Sequence, residues 1–211
     1  MHRRMIAVLT IATVSVMPLA GCATAQPAPE PTTAETSAPS PDPTPTQETD
    51  EPDPEDPSTW LVSDEGIGPI ETGGDFEATL SALPTSWMND ENCSWTAWWN
   101  AQDQSYNVNF ARGTTTETDP IMVVSASAAD PVTPGVGPRT EEGLGIGSTE
   151  DEILAQYPDA VEGTAPIGEG TWLSVQGDTA KIFFEFYTTS SEQANAVTVT
   201  TADQPPYEVC G

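Results

Sequence analysis

The sequence predicts an α+β fold: two tandem αβββ units, each a short helix packed on an antiparallel meander, preceded by a signal peptide and a disordered linker. Three observations predict it. Composition breaks at Trp60, and all six tryptophans fall from that residue onward. Two stretches beyond the break align without gaps at an offset of 74 residues. Behind each, the apolar period changes from that of a helix to two.

The chain opens Met1-His2-Arg3-Arg4, then runs apolar from Met5 to Met17 and reaches Pro18-Leu19-Ala20-Gly21-Cys22. A basic start, a short apolar stretch and small residues before a cleavage point make an export signal. The apolar run is too short to cross a bilayer comfortably, which takes about 20 residues. Leu19 to Cys22 have the form of a lipobox: an aliphatic residue, two small ones that fit a narrow peptidase groove, then a cysteine whose thiol takes a diacylglyceryl group. Residues 1–21 are read as a lipoprotein signal peptide and Cys22 as the lipidation site. Two or three acyl chains on one residue, palmitate among them, suffice for stable anchoring. The competing reading is a plain secretory signal with an incidental cysteine.

Residues 22–57 are read as the lipidated cysteine and its tether. Ala23 to Pro57 holds ten prolines and nine acids, with no basic and no aromatic residue. Such a stretch cannot bury enough apolar surface to offset the entropy of ordering. Proline and like charge extend it, and at about 3.1 Å per residue it reaches on the order of 110 Å at most. It is expected to be a spacer that lifts residues 58–211 off the membrane.

Within residues 58–211 the units are expected over roughly 60–130 and 138–211. In the first, Gly73 to Pro84 reads as turn, cap, helix and proline stop. Asp75 is the cap, and Phe76, Leu80 and Leu83 share a face. In the second, Gly147 to Pro158 repeats the plan. Thr149 and Glu152 form a capping box, and Ile153, Leu154 and Tyr157 share a face. Gly73 matches Gly147, Leu80 matches Leu154, and Pro84 matches Pro158. Strands are expected near 94–99, 106–111 and 121–127, and again near 171–175, 181–187 and 196–200. Tyr106, Val108 and Phe110 alternate with Asn107 and Asn109; Ile182, Phe184 and Phe186 alternate with Lys181, Phe183 and Glu185. Alternation of this kind predicts half-buried antiparallel strands.

Beyond Cys22 the chain has three bases, Arg112, Arg139 and Lys181, against 33 acids. So acidic a chain does not bind nucleic acid by neutralising phosphates, nor lie on an anionic lipid surface. His2 is the single histidine and leaves with the signal. Its loss removes Ser-His-Asp and Cys-His catalysis, histidine metal sites and histidine acid–base chemistry. No cofactor and no metal are expected. With Cys22 taken by lipid, Cys93 and Cys210 are left as the one possible intrachain disulfide, which an exported setting permits. The alternative is two free buried thiols.

The stretch Thr140-Glu141-Glu142-Gly143-Leu144-Gly145-Ile146-Gly147-Ser148-Thr149 through Tyr157-Pro158 resembles a phrase of an uncharacterised actinobacterial family of secreted lipoproteins. Cys93-Ser94-Trp95 and the closing Glu208-Val209-Cys210 resemble it too. The likeness covers roughly residues 60–211. It implies the disulfide and an exported setting, and it carries no catalytic residues. Tandem helix-and-meander units are also distantly similar in architecture to β-lactamase-inhibitor-like repeats and to outer-membrane assembly lipoproteins, which speaks to fold rather than function.

Trp87, Trp95, Trp98 and Trp99 cluster beside Asp90, Glu91 and Asn92. An aromatic platform edged with acids suits a sugar ring, so Trp98, Trp95 and Trp87 are the candidate ligand-binding residues. On one strand, Trp95 and Trp99 share a face and Trp98 points the other way. The plainer reading is that two or three of these rings build core beside the disulfide. Paired carboxylates are the remaining route to an enzyme, a hydrolase, but no acid stands in a distinctive context. Gly143 to Gly147 lacks the lysine of a phosphate loop and reads as a turn before a helix. Lys181 and Glu185, two apart on one strand face, are expected to form an exposed ion pair. The expectation is a non-enzymatic binding or interaction domain held on the outer face of the cell membrane by its lipid. It would meet a protein, as an interaction or inhibitor module, or a wall polysaccharide through an exposed tryptophan.

Overall fold

The computed structural model describes residues 53–128, 131–188, 191–207 and 209–210. The signal peptide, Cys22 and the tether up to Pro52 lie outside them. The fold is α+β and mostly β. It begins slightly before the composition break. A 3₁₀ turn spans Pro57–Thr59, and the Asp56 side chain accepts from its Ser58 amide. The Trp60 indole donates to the Asp53 carbonyl at 2.7 Å. Within 53–57, read from sequence as the end of the tether, the Asp53 carbonyl thus meets Trp60 and Pro57 is buried.

Three two-residue strands follow, β1 (Val62–Ser63), β2 (Gly66–Ile67) and β3 (Ile70–Glu71), which pair in that order as a small antiparallel sheet. Helix α1 spans Phe76–Ala82 and helix α2 spans Glu150–Gln156. Each begins as the sequence predicts. Asp75 accepts from the Ala78 amide at 2.7 Å. Thr149 and Glu152 exchange side-chain-to-backbone bonds at 3.3 and 2.9 Å. Gly73 and Gly147, just upstream, hold φ of 84° and 86°, a left-handed turn that glycine adopts without strain. Pro84 and Pro158 follow the helix ends and bar the preceding residue from helical backbone; Leu83 is extended, and Tyr157 lies at φ −120° and ψ 74°.

After α1 come β4 (Met88–Asp90), β5 (Cys93–Asn100), β6 (Asn107–Arg112) and β7 (Ile121–Ser127). After α2 come β8 (Val161–Thr164), β9 (Thr171–Gln176), β10 (Lys181–Phe186) and β11 (Ala196–Thr200). Each helix is thus followed by four strands rather than three; β4 and β8 are the additions. All eight join one antiparallel sheet, in the order β4-β5-β6-β7-β11-β10-β9-β8. The centre is the pairing of β7 with β11, in which Val124 faces Val199 and Ser125 faces Thr198.

One face of the sheet carries the main core. Phe76 of α1 meets Phe110 at 5.1 Å, Trp87 meets Phe110 at 5.7 Å, and Trp87 stacks on Trp60 at 6.0 Å. In the other half Ile153 of α2 is buried and Tyr157 stacks on Phe184 at 6.4 Å. Ile67, Ile70 and Ile146, from the segments before the helices, close the layer.

The expectation of half-buried strands fails for β10 and β11. Phe183, Glu185, Thr198 and Thr200 point away from this core, yet all are buried. Part of the cover is Trp172, whose indole meets the Phe183 ring edge-on at 5.2 Å. Part is the C-terminal tail. It leaves β11 at Thr200 and ends in a disulfide from Cys210 to Cys93 on β5. Strands β7 and β6 lie between, so the tail crosses about three strand spacings, roughly 14 Å.

Candidate functional site

The antiparallel register arranges the helix-free face in rows. One runs Trp98, Asn109, Ser125, Thr198, Phe183, Ser174 across β5, β6, β7, β11, β10 and β9. The next runs Asn100, Asn107, Ser127, Ala196, Glu185, Trp172, and reaches Gly163 on β8. Alternation places both rows on the side opposite Phe110 and Phe184. The face therefore has an indole on each flank, Trp98 and Trp172; between them Asn107, Asn109 and Ser127 are half-buried, while Ser125, Thr198, Phe183, Ala196 and Glu185 are buried.

Two local features set these rings. Trp172 lies directly over Gly163, where a Cβ would come within 2.0 Å of the indole. Glycine on β8 is what lets the ring lie flat. Trp98 sits opposite Met88 on one side and Asn109 on the other, and it is half-buried.

At the centre is a chain of three buried polar groups. The Thr198 hydroxyl donates to Glu185 Oε1 at 2.5 Å. Its remaining contact, with Ser125 Oγ at 2.8 Å, is then one in which Ser125 donates. Burial pushes the Glu185 carboxyl above the usual carboxylate range, with the Thr198 bond opposing in part. Lys181 does not reach it. The Lys181 ammonium pairs instead with Asp203 of the tail at 2.8 Å. The ion pair expected from strand periodicity is thus replaced by a tail contact, because Glu185 lies inward under Thr198 and Tyr207. Tyr207, itself raised to about 12 chiefly by burial, is close enough to feel the Glu185 and Tyr187 charges.

The tryptophans singled out from sequence divide three ways. Trp87 is 7% exposed and belongs to the core with Trp60 and Phe110. That burial removes it from any solvent-facing platform. Trp95 is half-buried beside the tail and donates from its indole nitrogen to the Val209 carbonyl at 2.6 Å. Trp98 stands on the helix-free face. Cys93 and Cys210 are joined, with Thr96 Oγ1 3.2 Å from one sulfur and 3.5 Å from the other. Cys22 lies outside the described residues.

Glu185 is the one buried carboxylate among the described residues. No group of three metal-ligand side chains occurs among the described residues. The glycine turn before α2 borders a hollow of about 610 Å³ lined by Arg139, Glu142 and Glu152. Arg139 is spent on the Gly143 and Ile146 carbonyls. The Tyr157 hydroxyl donates to Glu142 and holds its carboxyl below the usual range. The turn thus braces α2 and presents acids rather than a phosphate cradle.

A second hollow, about 660 Å³, lies by the disulfide and is lined by Ser94, Trp95, Arg112, Thr114 to Glu117, and Val209. Sequence reasoning missed Arg112 and Glu185. The available signals were a base at a strand end in a chain nearly devoid of bases, and a lone acid inside Ile182-Phe183-Phe184-Glu185-Phe186.

No family model matches the chain, and no curated protein or solved structure matches it.

Proposed function

We propose that this protein is a lipid-anchored, non-enzymatic interaction module displayed on the outer face of the cell membrane. It would engage a basic extracellular protein through the helix-free face of its sheet. The address rests on Leu19-Ala20-Gly21-Cys22 behind a basic and apolar leader. The acid-rich stretch after Cys22 serves as the spacer. Among the described residues no helix is long and apolar enough to cross a membrane.

One observation carries the choice of a protein partner. The open part of the helix-free face lies on β5 and β6, where half-buried Trp98, Asn107 and Asn109 adjoin exposed Asn100, while Trp172 and the tail cover the face at β10 and β11. Such a patch is mixed in character, and an aromatic anchor beside amides suits protein recognition. The chain's net charge of −28 favours a basic partner. The two halves of the face belong to segments that match at an offset of 74: β6 and β10 span 107–112 and 181–186, and α1 and α2 begin at 76 and 150. That match supports the reading of two tandem, duplicated units that share one sheet. A wall-polysaccharide binder is the second reading, favoured by the half-exposed Trp98.

The tests are separate. Cys22→Ser should move the protein from the membrane fraction to the medium and abolish labelling by a palmitate analogue; continued membrane retention defeats the anchor. A photo-crosslinker at Asn109 should capture one basic exported protein, and one at Asp151 on α2 should not. Equal capture from both positions defeats the docking face.

A further inference from the structure

We propose that the hollow beside the disulfide is a binding site for a small sugar acid, with Arg112 receiving the carboxylate. The site is separate from the helix-free face, so either proposal can fail without the other.

The case starts from an anomaly in charge placement. Arg112 is 8% exposed, so its guanidinium is largely out of water. A buried cation is costly unless it is paired and hydrogen-bonded. This chain offers 33 carboxylates, yet the ion pair among the described residues is Lys181 with Asp203. Arg112 makes contact with carbonyls instead. Its Nη1 donates to Gly113 O at 2.9 Å and to Thr116 O at 2.8 Å. Its Nε is buried without a partner, and no hydrogen bond from Nη2 to a described residue is present. The Phe76 ring, 5.9 Å from the guanidinium carbon, supports one side.

The carbonyl contacts position the guanidinium without neutralising it. The loop that supplies them is itself braced. Asp119 accepts from the Thr115 and Thr116 amides at 2.7 and 3.0 Å and from the Thr116 hydroxyl at 2.5 Å. The loop bonds and, less strongly, the Arg112 charge hold the Asp119 carboxyl below the usual range, but its oxygens bond the loop rather than the guanidinium. Gly113 makes room for this, since a Cβ there would stand 2.7 Å from Asp119 Oδ2. Among the described residues the guanidinium is thus held in place with no carboxylate hydrogen-bonded to it.

The remaining lining describes that anion. Ser94, Thr114, Thr115 and Thr116 supply hydroxyls, and Trp95 supplies an aromatic wall. Its indole nitrogen is bonded to Val209, which leaves the ring to stack. Hydroxyls, an indole and one guanidinium together fit a single hydroxyl-rich ring bearing a carboxylate. Glu117 lines the rim and opposes a second negative charge. At physiological salt the screening length is about 8 Å, so distant acids of the chain act weakly on a monoanion.

The probes are methyl glucuronide and methyl glucoside, titrated against the folded domain at millimolar concentration by calorimetry and tryptophan fluorescence. The glucuronide should bind and the glucoside should bind about tenfold more weakly. Arg112→Gln should abolish that preference. Glu117→Gln, at an exposed rim position, should tighten the glucuronide about two- to threefold and leave the glucoside unchanged; it stands as the test if Arg112→Gln does not fold. Equal binding of both sugars, binding of neither, or a glucuronide affinity indifferent to Glu117→Gln overturns the proposal.

Discussion

Glu185 shows how much one side chain depends on what covers it. Its carboxyl sits under Thr198 on a face that alternation would leave open to water. Burial favours the neutral acid, so the folded chain holds this proton to higher pH than the unfolded one. The contribution to stability is therefore greatest at low pH. It declines as pH rises from about 4.3, the ordinary unfolded value, through the raised folded one. Glu185→Gln keeps an acceptor for Thr198 and removes the titration. Urea melts of parent and variant should show the variant gaining relative to the parent between about pH 4 and pH 8; a difference that does not change with pH would contradict this. Phe110 is the opposite case, an apolar ring with no exposure, held between Phe76 and Trp87. Phe110→Ala should cost about 3–5 kcal/mol by denaturant unfolding.

At the scale of elements, both helices are seven residues long. So short a helix is not stable by propensity alone, and its cap carries a large share of its definition. Thr149→Ala breaks the reciprocal pair with Glu152 and should cost about 1 kcal/mol. The loss should appear as faster amide exchange in Glu150–Gln156, with β9 to β11 little affected. The caps, the glycine turns and the proline stops were legible in the sequence because each is a bond or a steric rule acting within four residues. The six longer strands were legible for the same reason: a period of two needs five or six residues to register. Strands β1 to β4 and β8 have two to four residues each, too few to show a period, and they exist because a neighbour pairs with them. Gly163 illustrates the point, since its value on β8 lies in the room it leaves for Trp172. Gly163→Val should displace that indole and shift its fluorescence while leaving α1 unchanged.

For the whole molecule, the bond between Cys93 and Cys210 closes 117 residues and ties the last strand's tail across β7 and β6 to β5. In the chain-entropy account a loop of about 100 residues is worth up to about 4.7 kcal/mol. Cys93→Ser with Cys210→Ser should lower the urea midpoint by a corresponding amount. It should also raise solvent exposure around Tyr207 and Thr96, read by hydrogen exchange. A midpoint unmoved by removal of the bond would mean that the tail is held by Tyr207, Pro205 and the Lys181 pair alone.

The sequence by itself determined what depends on near neighbours and on elimination: the caps of α1 and α2, the six longer strands, and the pairing left to Cys93 and Cys210. It also carried the exclusions, since a chain with no histidine after His2 loses whole chemistries wherever it folds. Tertiary structure alone decided that the strands form one sheet centred on β7 and β11 rather than two meanders, and that β10 is buried on both faces. It also decided that Trp87 is core while Trp98 stands on the helix-free face, and that Arg112 bonds carbonyls rather than a carboxylate among the described residues. The reason is distance along the chain. Alternation states that two faces differ, but the burial of the second face is set by residues such as Tyr207 and Cys210. These reach it from another strand, and no local pattern records them.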